Sequence, residues 1–179
     1  MNKQFFALLL AMFLGVFQSY SQLSITANSG LTNFSHNNFL TATTISKYAD
    51  ISFTYQLKNN FFVRADIQNY GVSALSGTEI KLISVPFTIG TSVRNEYFEQ
   101  LFGIGYVLTI PYKFVNLPNQ KFVNHGLNAF IENRFLISTK SYFALGINTS
   151  LTLASGSSFI DKLSSNSALY IGVGFKLGK

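Results

Sequence analysis

The chain has 179 residues, of which 47% are hydrophobic, 16% aromatic and only 11% charged, with a net charge of +6. Ordinary soluble domains carry about 25% charged residues, so this composition argues against a typical soluble enzyme surface. Its aromatic content excludes disorder. Without cysteine the chain forms no disulfide, thiolate nucleophile, cysteine-ligated metal centre or lipidated cysteine.

Residues 1–21 read as a secretory signal peptide. Lys3 supplies the positive start, Phe5 to Phe17 an apolar run, and Ser19 and Ser21 the small residues before a cleavage site ahead of Gln22. The run is shorter than the roughly 20 residues a transmembrane helix needs. The mature domain is then expected to be 22–179, and for an exported chain with so few basic residues nucleic acid is not an expected partner.

Eight segments of period-2 alternation follow. Residues 22–31 set Leu23, Ile25 and Ala27 against Ser24, Thr26 and Asn28. A polar stretch at 32–46 reads as a loop. Residues 48–57 set Ile51, Phe53, Tyr55 and Leu57 against Ser52, Thr54 and Gln56, and 61–73 set Phe61, Val63, Ala65 and Ile67 against Arg64, Asp66 and Gln68. Next, 79–93 alternates Ile83, Val85, Phe87, Ile89 and Val93 with Ser84, Pro86, Thr88 and Ser92. In 97–110, Phe98, Phe102, Ile104, Tyr106, Leu108 and Ile110 oppose Glu99, Gly103, Gly105 and Thr109. In 121–136, Val123, Leu127, Ala129 and Ile131 oppose Asn124, Gly126, Asn128, Glu132 and Arg134. Segments 142–153 and 168–177 repeat the pattern, the last setting Leu169, Ile171, Val173, Phe175 and Leu177 against Tyr170, Gly172, Gly174 and Lys176.

Most segments reach the 9–11 residues that a tilted strand needs to cross a hydrocarbon layer. The polar face of Ser, Thr, Asn, Gln and Gly cannot make a dry core, so the apolar face needs an apolar environment outside it. Unpaired strand edges are not tolerated in lipid, so the strands must close. Short links at 58–60, 94–96 and 138–140 alternate with longer ones at 32–46, 74–78, 111–120 and 154–167. Short turns on one side and long loops on the other are the asymmetry of an outer-membrane barrel. The predicted fold is all-β: an eight-stranded antiparallel up-and-down transmembrane β-barrel with short periplasmic turns and longer extracellular loops. A soluble lipocalin-like barrel, with the two faces inverted, is the competing architecture.

The mature chain thus resembles the small eight-stranded outer-membrane β-barrel proteins of Gram-negative bacteria, the OmpA/OmpX-like class. The final strand, ALYIGVGFKLGK, is similar to the terminal strand these proteins present to the barrel-assembly machinery, although Phe175 lies four residues before the end of the chain rather than at it. The Phe-, Tyr- and Asn-rich makeup resembles members from Bacteroidota. The resemblance implies a location in the bacterial outer membrane, periplasmic chaperones and the assembly machinery as partners in biogenesis, and contact with outer-membrane lipid and lipopolysaccharide. Lys47, Lys113, Lys121 and Lys162 lie in or beside the longer loops, within reach of lipopolysaccharide phosphates.

Six charges share the inward parity: Arg64, Asp66, Glu99, Glu132, Arg134 and Lys176. Each lies within a few residues of a short turn or of the C-terminus, so one layer holds three cations and three anions. Buried charges persist when paired, and an eight-stranded interior is only wide enough for side chains to fill. The six are expected to form a salt-bridged plug, or else to stand solvated at the periplasmic rim. Glu99 and Glu132 as a hydrolytic carboxylate pair is the weaker reading beside two arginines.

Gly103, Gly105, Gly126, Gly146, Gly172 and Gly174 face inward and leave room for larger side chains such as Tyr170. Outward aromatics Phe61, Phe98, Tyr106, Tyr112 and Phe143 suit interfacial girdles. The only histidines are His36 and His125. The barrel resemblance raises lipid A deacylases and palmitoyltransferases, for which Ser35, His36 and His125 are the only candidates; Ser157 and Ser158 have no base near them in sequence. No catalytic residue, metal site or cofactor is expected. The expected role is non-enzymatic, structural or surface-interacting through the loops. The alternative is a small pore or a component of an outer-membrane transport or secretion system.

Overall fold

The computed structural model describes residues 22–36, 40–57, 60–73, 79–115, 123–155 and 164–177. The signal-peptide reading of 1–21, and Lys121, Ser157, Ser158 and Lys162, lie outside the described residues. Eight strands form: β1 (Gln22–His36), β2 (Leu40–Gln56), β3 (Phe61–Ser73), β4 (Glu79–Arg94), β5 (Phe98–Val115), β6 (Val123–Leu136), β7 (Ser141–Ser155) and β8 (Ser164–Leu177). Each pairs antiparallel with its neighbour in sequence, and β1 closes on β8 from Leu23↔Leu177 to His36↔Ser164. Closure leaves no edge strand, as the alternation requires.

The two faces fall as the period-2 pattern predicts. Ile89, Ile104 and Leu127 stand outward and are 64–69% exposed, whereas Thr26, Ser52, Asp66 and Glu132 point into the lumen and are fully buried. The outer wall carries large exposed apolar side chains, from Leu31 on β1 and Ile51 and Phe53 on β2 round to Val173 and Phe175 on β8. Such a surface is far beyond the few hundred Å² of apolar patch a soluble monomer tolerates. That rules out the inverted, lipocalin-like arrangement and makes this a barrel built for an apolar surrounding.

Two expectations are corrected. The polar stretch 32–46 is mostly strand: Thr32↔Ser46 to Phe34↔Thr44 are paired, with a further pair at His36↔Leu40. Likewise β5 runs on to Val115 and β8 begins at Ser164. Alternation marks a strand only where one face meets lipid; above that level both faces are polar, while backbone pairing continues. The connections at this end are therefore 37–39, 74–78, 116–122 and 156–163, facing 57–60, 95–97 and 137–140 at the other. These two ends are called the loop end and the turn end below. Turn-end links are tightened locally: Asn95 Oδ1 accepts from the backbone N–H of Tyr97 and Phe98 at 2.9 and 2.8 Å, and Ser138 Oγ accepts from that of Ser141 at 3.0 Å.

The interior is also less uniformly polar than expected. Tyr48, Phe62, Tyr70, Leu82, Leu101, Val107, Phe130, Tyr142 and Tyr170 all point inward and are buried. For four of them the room comes from glycines on the adjacent strand. Phe130 faces Gly103, Tyr170 faces Gly146, Tyr142 faces Gly174 and Phe62 faces Gly90 in the strand register. In each pair the ring occupies the place a Cβ on the glycine would take. A large side chain folded over a cross-strand glycine fills the lumen without forcing the wall outward.

Two substitutions test this packing by urea titration of the barrel in lipid vesicles. Gly103→Ala drives a methyl into the Phe130 ring and is expected to cost about 1–3 kcal/mol. Ile104→Arg places a charge on the lipid-facing wall and is expected to cost about 2–4 kcal/mol if that position lies near the bilayer midplane.

Candidate functional site

The densest chemistry lies in the turn-end half of the lumen. Residues two apart on a strand share a face, so Arg64 and Asp66 on β3, and Glu132 and Arg134 on β6, enter the lumen as two ready-made pairs. Arg64 Nε donates to Asp66 Oδ1 at 2.6 Å, and Arg134 Nε donates to Glu132 Oε1 at 2.6 Å. The two strands are not neighbours, yet Arg64 Nη1 reaches across to Glu132 Oε2 at 2.6 Å. Glu132 thereby binds both guanidiniums, and Tyr170 on β8 adds a third bond, its hydroxyl donating to Oε2 at 2.9 Å.

Further arginine donors reach β1 and β2. Arg64 Nη2 donates to Ser52 Oγ at 2.7 Å; Arg134 Nη2 donates to Thr54 Oγ1 at 3.0 Å and Nη1 to Ser24 Oγ at 3.1 Å. Glu99 on β5 sits directly across from Arg134 in the register. Its Oε2 lies 3.6 Å from Arg134 Nη1 and 3.1 Å from Lys176 Nζ on β8. Rings back the cations: Phe130 lies 4.2 Å from the Arg64 guanidinium carbon and Tyr142 lies 4.6 Å from that of Arg134. The Tyr142 hydroxyl shares a 2.6 Å hydrogen bond with Thr26.

The structure therefore brings all six inward charges into one contiguous set rather than leaving them at a rim, and all six side chains are buried. Sequence reasoning missed a seventh charge. Asp50 on β2 has the same parity as Ser52 and Thr54, and it accepts from Asn28 Nδ2 at 2.6 Å and from the Tyr48 hydroxyl. Tyr48 stacks on Tyr170 with ring centroids 6.0 Å apart, which joins this polar group to the Glu132 network. The parity signal for Asp50 is present in the sequence, but it lies farther from a turn than the other charges.

Towards the loop end the lumen changes character. Gln68, Asn124, Asn128 and Asn148 are buried, and each has a side-chain polar atom without a hydrogen-bond partner among the described residues, as do Asn28, Asp66, Glu99 and Lys176 in the turn-end half. Buried amides of this kind are ordinarily satisfied by water.

The other candidates are scattered. His125 points out of the barrel, with its ring 6.3 Å from that of Tyr106. Ser35 and His36 lie at the loop end of β1, opposite Ser165 and Ser164 of β8, away from β6. Lys113 is exposed near the loop end of β5, whereas Lys47, expected in or beside a loop, is exposed within β2, seven residues from its loop end. Among the described residues, no group of three histidine, aspartate or glutamate side chains is placed to hold a metal ion.

No protein-family model matches the chain. No curated protein matches it in sequence. Solved structures match it in shape. Neisserial surface protein A superposes with a TM-score of 0.70 at 14% identity, covering 87% of this chain and 97% of that one. The fold is that of the small outer-membrane β-barrels. Ail, the attachment invasion locus protein of Yersinia pestis, superposes with a TM-score of 0.59 at 12% identity over 88% of this chain and 99% of Ail. The outer-membrane protein OprG of Pseudomonas aeruginosa gives 0.58 at 12% identity over 89% and 96%. At these identities the likeness carries the barrel and its strand order.

Removing one partner of a buried ion pair strands the other. Glu132→Ala leaves two guanidiniums without their shared carboxylate and is expected to lower stability by about 3–5 kcal/mol. Tyr170→Phe removes one bond to that carboxylate and is expected to lose about 1.5–3 kcal/mol. Urea-induced unfolding in lipid vesicles, followed by the mobility of unboiled samples, measures both.

Proposed function

We propose that this chain is a non-enzymatic bacterial outer-membrane barrel whose lumen is closed by Arg64, Asp66, Glu99, Glu132, Arg134 and Lys176, and whose interactions are made at the loop end. The observation that carries the reading is Glu132, which ties β3, β6 and β8 together across the lumen through Arg64, Arg134 and Tyr170. A carboxylate occupied by two guanidiniums is a poor general acid or base, and Glu99 is likewise engaged by Lys176 and Arg134. This favours a structural network over a hydrolytic pair.

In this reading residues 1–21 direct export, chaperones deliver 22–179 across the periplasm, and the terminal strand is shown to the assembly machinery. The short turns face the periplasm. The loop end meets lipopolysaccharide, with Lys47, Lys113, Lys121 and Lys162 near its phosphates. Two of the proteins with this fold are named for the cell surface and for attachment, which agrees with a surface role.

Transport is the second reading, favoured by the buried neutral amides Asn124, Asn128 and Asn148 in the loop-end half of the lumen. Single-channel recording in planar bilayers separates the two, using a preparation whose unboiled and boiled forms migrate differently. A heat-modifiable barrel that gives no stable conductance is the expected result. Discrete, reproducible conductance steps would put transport first.

A further inference from the structure

Near the loop end the outer wall dips. Ser29 on β1, Ala49 on β2 and Gly71 on β3 have little or no side chain, and the hollow beside them measures about 490 Å³. Its rim is cationic and aromatic. Lys47 on β2, Lys81 on β4 and Tyr112 on β5 line it. The Tyr112 hydroxyl donates to Asn69 Oδ1 at 3.1 Å, which fixes that ring at the edge.

A β-bulge shapes the cationic side. Leu82 pairs with Pro111, but Lys81 pairs with Lys113, so Tyr112 is the extra residue on β5. The bulge thus sets two lysines directly opposite each other. Segments 45–49, 69–73, 79–83 and 110–115 bring three lysines to this corner and one acid, Glu79. Towards the turn end the wall turns apolar, with Ile51, Ile67 and Ile110 all 41–53% exposed. A cationic hollow above an exposed apolar wall matches an amphiphile with an anionic head.

We propose that the hollow bordered by Lys47, Lys81 and Tyr112 binds the phosphate headgroup of an anionic membrane lipid, whose acyl chains lie against Ile51, Ile67 and Ile110. Lysine suits this role as a flexible point charge for phosphate. A free phosphate would gain the charges but nothing from the apolar wall, so the lipid is the occupant. The proposal rests on the membrane reading above and adds the residues and the ligand class.

The test is native mass spectrometry of the refolded chain in neutral detergent, titrated with phosphatidylglycerol or with phosphatidylcholine. Inorganic phosphate serves as a competitor. Every variant is first required to show the mobility shift of a folded barrel. One phosphatidylglycerol is expected to be retained in preference to phosphatidylcholine. Lys47→Gln, Lys81→Gln and Lys113→Gln should each lower its apparent affinity about fivefold, from roughly 1 kcal/mol per basic residue at a membrane surface. Lys47→Arg should retain binding. Ala49→Trp, which fills the hollow and leaves the charges, should lower it as well. Lys140→Gln at the turn end should leave it unchanged.

Equal retention of the two lipids would overturn the proposal, as would an equal loss in Lys140→Gln, or displacement of the lipid by inorganic phosphate at matching concentration. Failure of the membrane reading looks different: the chain then stays monodisperse in plain buffer and shows no mobility shift.

Discussion

Glu132 is the point on which the interior turns. One carboxylate accepts from Arg134 on its own strand, from Arg64 on the far wall and from Tyr170 on β8. Bringing those charges out of water costs several kcal/mol per ion. The cost is offset because Glu132 and both guanidiniums are hydrogen-bonded and Glu99 is ion-paired with Lys176 and Arg134, and because Phe130 and Tyr142 lie against the guanidiniums. Through Ser24, Ser52, Thr54, Asp66, Glu99 and Lys176 the network engages side chains of β1, β2, β3, β5, β6 and β8, and the Tyr142 ring brings in β7. A cluster that ties this many strands together also specifies register, since sliding any strand by one residue would turn its contribution out to the wall.

The glycines are the counterpart of that network. An eight-stranded barrel has little interior volume, and two arginines with six inward aromatics would overfill it if each ring stood towards the axis. Folding Phe130 over Gly103, Tyr142 over Gly174 and Tyr170 over Gly146 lays the rings along the wall. Tyr170 and Tyr142 are then in place to bond Glu132 and back Arg134. Packing and electrostatics are therefore one arrangement: a residue added at Gly146 or Gly174 would move a ring that the charged cluster uses.

Much of this is legible in the sequence. Period-2 alternation locates the eight strands and their two faces, because lipid demands an apolar side chain at every second position. The inward parity of Arg64, Asp66, Glu99, Glu132, Arg134 and Lys176 is legible for the same reason. Which arginine meets which carboxylate is not, since the Arg64–Glu132 bond depends on the stagger of strands that are not neighbours. Strand ends at 32–36 and 40–46 are hidden because polarity on both faces looks like loop. Phe62 is hidden by its neighbour Phe61, one pointing in and the other out, and the bulge at Tyr112 breaks the parity on which the reading relies.

The central claim is that the charged layer divides the lumen into two compartments, and the absence of cysteine from the chain makes a direct measurement available. Asn166→Cys places a thiol in the loop-end half, and Gln56→Cys places one beside the turn end. Each variant is reconstituted in vesicles and exposed to a small, charged, membrane-impermeant thiol reagent from one side at a time. The account predicts that each cysteine is modified from its own side only. Modification of both cysteines from both sides at similar rates would contradict it, and would mean that the ion pairs around Glu132 leave a continuous path through the barrel.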